Sequence, residues 1–267
     1  MIRAIVAGAG GRMGGRIINI IRDTEGIELS AAFERQDCPV VGQDAGVVAG
    51  CGELGVKIED NIESVIDKGD VIIDFTFHEA SVKHAEVASQ KGKPMVIGTT
   101  GFTQEEYSKL DELSKSFPLV LAPNMSVGVN LLYKLIEMAA SVLGDDYDVE
   151  IVEAHHRMKK DAPSGTALQL GKVVAKALGR DFEEVAVFAR HGMIGERSKK
   201  EIGIQTVRAG DIVGEHTVLF GGIGERIEIT HKASSRDTFA KGAVRAALWI
   251  VGKPAGRYSM QDVLGLS

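Results

Sequence analysis

The sequence predicts an α/β protein: a doubly wound parallel sheet joined to a smaller α+β domain with a mixed sheet. Three observations carry this. Short apolar runs alternate with helical stretches over roughly the first 122 residues. A glycine-rich loop joins the first run to the first helix. Beyond that region, strand candidates follow one another with few helices between them.

Taken in order, Arg3–Ala7 is an apolar run ending in glycines, which reads as a buried parallel strand. Arg12–Arg22 places Met13, Ile17, Ile18 and Ile21 on one helical face, and Ile27–Phe33 returns to strand character. These three form a βαβ unit. Gln36–Lys57 is glycine-rich and reads as an irregular surface excursion, and Asp60–Lys68 as a short helix. Strands at Asp70–Phe75, Pro94–Gly98 and Leu119–Ala122 alternate with helices at Glu79–Lys91 and Gln104–Ser116. Val127–Leu143 is then a long amphipathic helix, Tyr147–His155 a strand and Ser164–Leu178 a helix. Strand candidates follow at Val185–Ala189, Gly203–Arg208, Gly214–Phe220 and Arg226–His231. The last helix, Arg236–Val251, has no obvious home in either sheet on pattern alone.

Composition narrows the function classes. A net charge of −6 with no long basic run argues against a non-specific nucleic-acid binder. The two cysteines, Cys38 and Cys51, form neither a disulfide framework nor a metal-ligand spacing, so no metal is expected and free thiols in a reducing cytosol are. The apolar part of MIRAIVAGAGG is too short for a signal peptide. No run of about 18 apolar residues suggests a membrane span, so a cytoplasmic protein is expected.

The loop Gly8-Ala9-Gly10-Gly11-Arg12-Met13-Gly14 follows a strand and opens a helix, the setting of a Rossmann-like dinucleotide site. The usual sixth-position glycine is replaced by Met13, and the last glycine comes one residue later. Small residues still let the backbone approach a pyrophosphate, and helix-start N–H groups point at it. Glu34 lies 20 residues after Gly14, where an acid binds the ribose hydroxyls of NADH. Arg35 follows, suited to the 2′-phosphate of NADPH. The pair predicts use of both cofactors. Gly98-Thr99-Thr100-Gly101 and Ala122-Pro123-Asn124-Met125 end strands of the same sheet and are candidates for the nicotinamide-ribose half.

The stretch EAHHRMKKDAPSGTA, from Glu153 to Ala167, crowds His155, His156, Lys159 and Lys160 ahead of a helix capped by Ser164. A substrate with two carboxylates suits this arrangement. Helix N–H groups and a lysine hold one end, one histidine holds the other, and the second histidine moves a proton.

These segments, with IDFT (Ile73–Thr76), VIGTTGF (Val96–Phe102), NMSVGVN (Asn124–Asn130), RAGDIVGEHTV and ERIEITHKASSRDTFAKGA, resemble the 4-hydroxy-tetrahydrodipicolinate reductase family, also called dihydrodipicolinate reductase. The resemblance spans nearly the whole chain. It differs from the motif only around Met158 and Lys160, which carry no named role. The resemblance implies NAD(P)H-dependent reduction giving tetrahydrodipicolinate on the diaminopimelate route to lysine. It implies His155 as proton donor or acceptor, Lys159 as a second proton donor, and His156, Gly165 and Thr166 as substrate ligands. Gly8, Ala9, Gly10, Gly11, Arg12, Met13, Glu34, Arg35, Gly98, Thr99, Thr100, Ala122, Pro123, Asn124 and Met125 would bind the cofactor. It further implies a homotetramer built on second-domain sheets and a C-terminal helix returning to the nucleotide domain. The domains would then be 1–126 with 236–267 for the dinucleotide and 127–235 for substrate and tetramerisation. Two rivals remain: another Rossmann dehydrogenase of a small dicarboxylate, for which no motif is present, and a nucleotide-sensing regulator, which has no need of the His-His-Lys cluster.

Overall fold

The computed structural model describes Met1–Leu266. It contains two compact units, Met1–Val127 together with the chain from Asp237 on, and Gly128–Arg236. In the first unit the chain runs β1 (Ile2–Ala7), α1 (Arg12–Arg22), β2 (Ile27–Phe33), α2 (Ala45–Ala49), β3 (Ile58–Glu59), β4 (Val71–Asp74), α3 (His78–Gln90), β5 (Met95–Ile97), α4 (Gln104–Leu113) and β6 (Pro118–Leu121). The second unit holds most of α5 (Val127–Leu143), then β7 (Asp148–His155), α6 (Gly165–Ala177), α7 (Phe182–Val185), β8 (Ala186–Phe188), β9 (Ile202–Arg208), β10 (Gly214–Gly221) and β11 (Arg226–Ala233). The chain then re-enters the first unit as α8 (Asp237–Ile250), β12 (Gly256–Tyr258) and α9 (Met260–Leu264).

The first sheet is parallel throughout, in the order β12-β6-β5-β4-β1-β2-β3. The strand order reverses between β1 and β4, and in such sheets ligands sit beyond the carboxyl ends at that point. Both faces are covered, which explains the unbroken apolar runs. On one face Ala4 and Val6 pack against Ile17, Ile18 and Ile21 of α1 and Ala243, Ala246 and Ala247 of α8. On the other, Ile5 and Ala7 pack with Val82, Ala85 and Ala88 of α3 and Leu110 of α4. The last long helix thus finds its home in the first unit through a stripe of alanines and Gly242. A Cβ there would sit 1.7 Å from the Met125 carbonyl oxygen, so only glycine permits the approach.

Three segments depart from the sequence reading. Asp60–Lys68 is not a helix; only Ile66–Lys68 forms a single 3₁₀ turn. There the Asn61 side chain accepts from the Ser64 amide at 2.8 Å and captures a donor that a helix would use. The Gln36–Lys57 excursion contains α2, capped by Asp44 through the Gly46 and Val47 amides and ended by Gly50 at φ 76°. Val185–Ala189 begins as the end of α7, which Asp181 caps, and only Ala186–Phe188 pairs as strand. β12 and α9 lie beyond the last predicted element. The Ser259/Asp262 capping box of α9 is a legible signal in retrospect.

The second sheet is mixed, in the order β11-β10-β7-β9-β8, with β7 antiparallel to β10 and parallel to β9. One face packs Val149, Ile151, Ile204, Val218 and Phe220 against Leu132 and Ile136 of α5 and Leu170 and Val174 of α6. Val152 and Val207, on the opposite face, are 40% and 43% exposed. With its following turn, α5 is the one helix among the described residues apolar and long enough to cross a bilayer by length and composition. It lays Leu132, Ile136 and Ala140 on this core instead.

Candidate active site

The glycine loop lies in the first unit at the end of β1. Gly8 adopts φ 70°, and a Cβ on it would meet the Thr76 side chain at 2.8 Å. Gly14 packs α1 onto the loop so closely that a Cβ would fall 2.1 Å from the Gly8 oxygen. The close-packing glycine therefore stands at position 14, which accounts for Met13 in the sixth place. α1 has no side-chain cap and no acid in its first turn, so its leading amides meet no negative neighbour in the helix. The Glu34 carboxylate lies over this loop: Oε1 is 3.5 Å from where a Gly10 Cβ would be.

A cavity of about 580 Å³ opens here, lined by Gly8, Gly10, Gly11, Glu34, Arg35, Phe77, Lys83 and His84 among others. Arg35 is mostly exposed, 3.4 Å from Asp37. Phe77 shows an exposed ring, and Lys83 has no ion-pair partner among the described residues. Sequence reasoning missed Thr76, Phe77, Lys83 and His84. The acid in IDFT was the available signal, because Asp74 is a buried charge at a strand end. It accepts from the Thr76 amide (2.9 Å), Thr76 Oγ1 (2.7 Å), Ser81 Oγ (2.9 Å) and His84 Nδ1 (2.6 Å). Burial works against its charge, yet His84 and Thr76 hold the carboxyl below the usual carboxylate range. This network fixes the β4 loop against the cavity.

The other two loops expected to meet the cofactor end β5 and β6. Thr99 is buried with its hydroxyl 2.8 Å from Ser81 Oγ, and Ala122 and Met125 lie in the core. Thr100 is exposed. Asn124 Oδ1 accepts from the Ser126 amide at 2.9 Å and shapes its own turn. These loops offer mainly backbone toward a ligand.

In the second unit, β7 alternates so that Val149, Ile151, Glu153 and His155 share the buried face. His155 Nδ1 lies 2.6 Å from Glu153 Oε2. His155 Nε2 has no partner among the described residues, and Gly214 leaves space beside it, since a Cβ there would stand at 3.0 Å. Burial pushes the imidazole below its ordinary range, with Glu153 opposing. Beside it, at a ring separation of 5.2 Å, is His216, pushed down to about 4 by burial with His155 adding. His216 Nε2 lies 3.1 Å from Ser164 Oγ.

Ser164 caps α6, its hydroxyl accepting from the Ala167 amide at 3.2 Å. Nothing lies within 4 Å of a Cβ at Gly165, so the helix start is open there. The peptide Ala162–Pro163 is cis. Lys159 is half-buried and paired with Asp161 at 2.9 Å, whereas Lys160 is exposed. His156 Nε2 lies 3.5 Å from an Arg236 guanidinium nitrogen. Of the predicted residues, His155, His156, Lys159, Gly165 and Thr166 all fall on this strand end and helix start. Ser164 caps the helix as expected, whereas Glu153, Arg208, His216 and Arg236 were missed. For Glu153 the signal was a carboxylate in a core-facing frame of β7.

Comparison with known proteins covers both units. Residues 2–125 match the family described as dihydrodipicolinate reductase, N-terminus, and residues 128–264 match dihydrodipicolinate reductase, C-terminus. The 4-hydroxy-tetrahydrodipicolinate reductases of Geotalea daltonii and Syntrophotalea carbinolica are 60% and 58% identical, each over 100% of both chains. Among solved structures, a dipicolinate-bound dihydrodipicolinate reductase from Paenisporosarcina sp. TG-14 superposes with TM-score 0.78 at 27% identity, covering 98% of each chain. An amine dehydrogenase from Mycobacterium smegmatis, at 18% identity and TM-score 0.60 over 97% of this chain and 95% of its own, shares the fold alone.

Proposed function

The chain belongs to the dihydrodipicolinate reductase family, and from that premise we propose how its residues perform the reduction of 4-hydroxy-tetrahydrodipicolinate. The observation that carries the reading is the partly buried pair His155 and Lys159 beside an open, Ser164-capped helix start.

The glycine loop fits a reduced nicotinamide dinucleotide. Gly8 and Gly14 leave no room for a Cβ, and Glu34 lies over the loop. When bound, this cofactor supplies the hydride. The α1 start and Gly8 to Met13 hold its pyrophosphate. Glu34 accepts from the ribose hydroxyls, and Arg35, with Lys83 on the same cavity, meets a 2′-phosphate. Both NADH and NADPH therefore serve. Backbone at Gly98, Thr99, Thr100, Ala122, Pro123, Asn124 and Met125 supports the nicotinamide half.

The ring substrate carries two carboxylates. The Gly165 and Thr166 amides, with the dipole of α6, hold one, and His156 with Arg236 holds the other. The Paenisporosarcina relative binds dipicolinate, a flat ring of this charge pattern, which supports a dicarboxylate here. His155, through Nε2, or Lys159, through Nζ, gives the proton that neutralises the charge left on the ring. Asp161 holds the Lys159 Nζ in place at 2.9 Å.

The protein acts in the cytoplasm as a homotetramer, with the exposed Val152 and Val207 face of the second sheet as the natural surface for a second copy. The direct test couples the purified protein to a synthase that makes the ring and follows loss of nicotinamide absorbance. Ring-dependent oxidation of NADH and NADPH is expected. Cofactor binding without ring-dependent oxidation would identify a nucleotide sensor instead, and a preference above about a thousandfold for one cofactor, roughly 4 kcal/mol, would overturn the dual reading.

A further inference from the structure

We infer that Glu153 is a positioning residue for this reaction: its buried carboxylate fixes the Nδ1 side of His155, leaves Nε2 to exchange the proton, and ties the start of α6 to the same anchor. The inference rests on the role given above to His155.

The geometry of one side chain carries it. Glu153 is fully buried. Its Oε2 accepts from His155 Nδ1 (2.6 Å) and from an Arg208 guanidinium N–H (2.9 Å). Its Oε1 accepts from the other Arg208 terminal nitrogen (2.9 Å), the Ser164 amide (3.0 Å) and Thr206 Oγ1 (3.2 Å). A buried ion pair with no further duty would be complete with the two-pronged Arg208 contact. Here the remaining acceptor positions go to the imidazole and to the capping residue of the anion-binding helix. Those partners come from β7, β9 and the loop before α6, so one carboxylate sets the imidazole and the helix start in a single frame.

The chemistry follows from the proton inventory. An ionised carboxylate only accepts, so the imidazole must present N–H at Nδ1. Neutral His155 then carries its lone pair on Nε2, the nitrogen beside Gly214 with no partner among the described residues. When Nε2 takes a proton, the same carboxylate faces the imidazolium. Arg208 keeps Glu153 from taking that proton itself. Despite burial, the bonds from Arg208, His155 and the Ser164 amide hold the carboxyl below its usual range. The other charged or titratable groups facing His155 are Lys159 on the following loop and Arg208 on β9, both of which disfavour its protonation, and His216 on β10, at a ring separation of 5.2 Å. Glu153 is the one acid among these neighbours that favours it.

Glu153→Gln keeps the shape but can donate toward Nδ1, which selects the opposite tautomer. The test is a kcat measurement on the wild type, E153Q, H155Q and the double variant, under saturating NADH and ring substrate. We expect H155Q to lose about a hundredfold, E153Q at least about thirtyfold, and the double variant to stay within about threefold of H155Q, because Glu153 acts through the imidazole already removed. If H155Q turns over like the wild type, the role given to His155 fails. If H155Q is impaired while E153Q stays within about threefold of the wild type, or if the two losses multiply, the present inference fails. Should E153Q not fold, histidine ¹⁵N resonances of the intact wild type at pH 8 decide. A His155 signal with hydrogen on Nδ1 supports the assignment, and hydrogen on Nε2 overturns it.

Discussion

Lys159 and Lys160 are adjacent and chemically identical, yet the fold separates them. Lys159 is half-buried against Asp161, and Lys160 is exposed. Lys159→Ala is expected to lower kcat at least about a hundredfold and Lys160→Ala less than about threefold, measured by ring-dependent nicotinamide oxidation. Equal effects would mean the wrong lysine carries the role. At the cofactor, Arg35→Ala is expected to raise KM for NADPH about tenfold while leaving KM for NADH nearly unchanged, the loss of roughly one charge-assisted phosphate contact. The imidazoles also set an acid limit on stability. His216 is pushed down to about 4 by burial, and His155 and His231 are lowered by the same cause. The unfolded chain binds protons that the folded chain refuses, so stability is full above about pH 6.5 and falls as pH drops toward 4, by on the order of 3 kcal/mol for His216 alone. Denaturant melts from pH 7.5 to 4.5 test this; stability that rose on acidification would contradict it. At this scale the sequence reading named the groups proposed to touch ligand and missed the residues they hydrogen-bond to. His155 and Lys159 announce themselves by type and crowding. Glu153, Arg208 and His216 come from three strands, and only the pairing of β7 with β9 and β10 brings them together.

At the scale of elements, periodicity and turn chemistry read well where an element is long or buried on both sides. α1, β2 and α5 match their expected bounds, because the isoleucine face, the strand run and the extended apolar stripe are unambiguous. Elements of one or two turns were decided by single side chains instead. Asn61 turned an expected helix into a bend, and Asp44 made a helix in an expected loop. The glycine loop shows the limit of motif spacing. The third glycine is required by the packing of α1 on the Gly8 carbonyl, and that contact sits at position 14. Gly14→Ala is therefore expected to cost about 1–3 kcal/mol of stability and to weaken binding of either dinucleotide, as seen by thermal melts with and without NADH. A variant as stable as the wild type would show that α1 can shift freely.

For the whole molecule, the alternating pattern and the later run of strands carried the two-sheet architecture, while the strand orders are set by long-range pairing that the pattern does not encode. The homing of α8 on the first sheet was legible through the family resemblance rather than through its own pattern, because an alanine stripe around Gly242 fits many partners. The second sheet leaves Val152 and Val207 exposed on the face away from its core. If the proposed homotetramer is built on this face, Val152→Lys with Val207→Lys is expected to give smaller species than the wild type in sedimentation velocity, and an unchanged assembly would place the interface elsewhere. The measurement that bears most directly on the whole account is a crystal structure with NADH and pyridine-2,6-dicarboxylate. It should place one carboxylate of the analogue on the Gly165 and Thr166 amides, the other toward His156 and Arg236, and His155 Nε2 facing the ring. An analogue bound away from the start of α6 would contradict it.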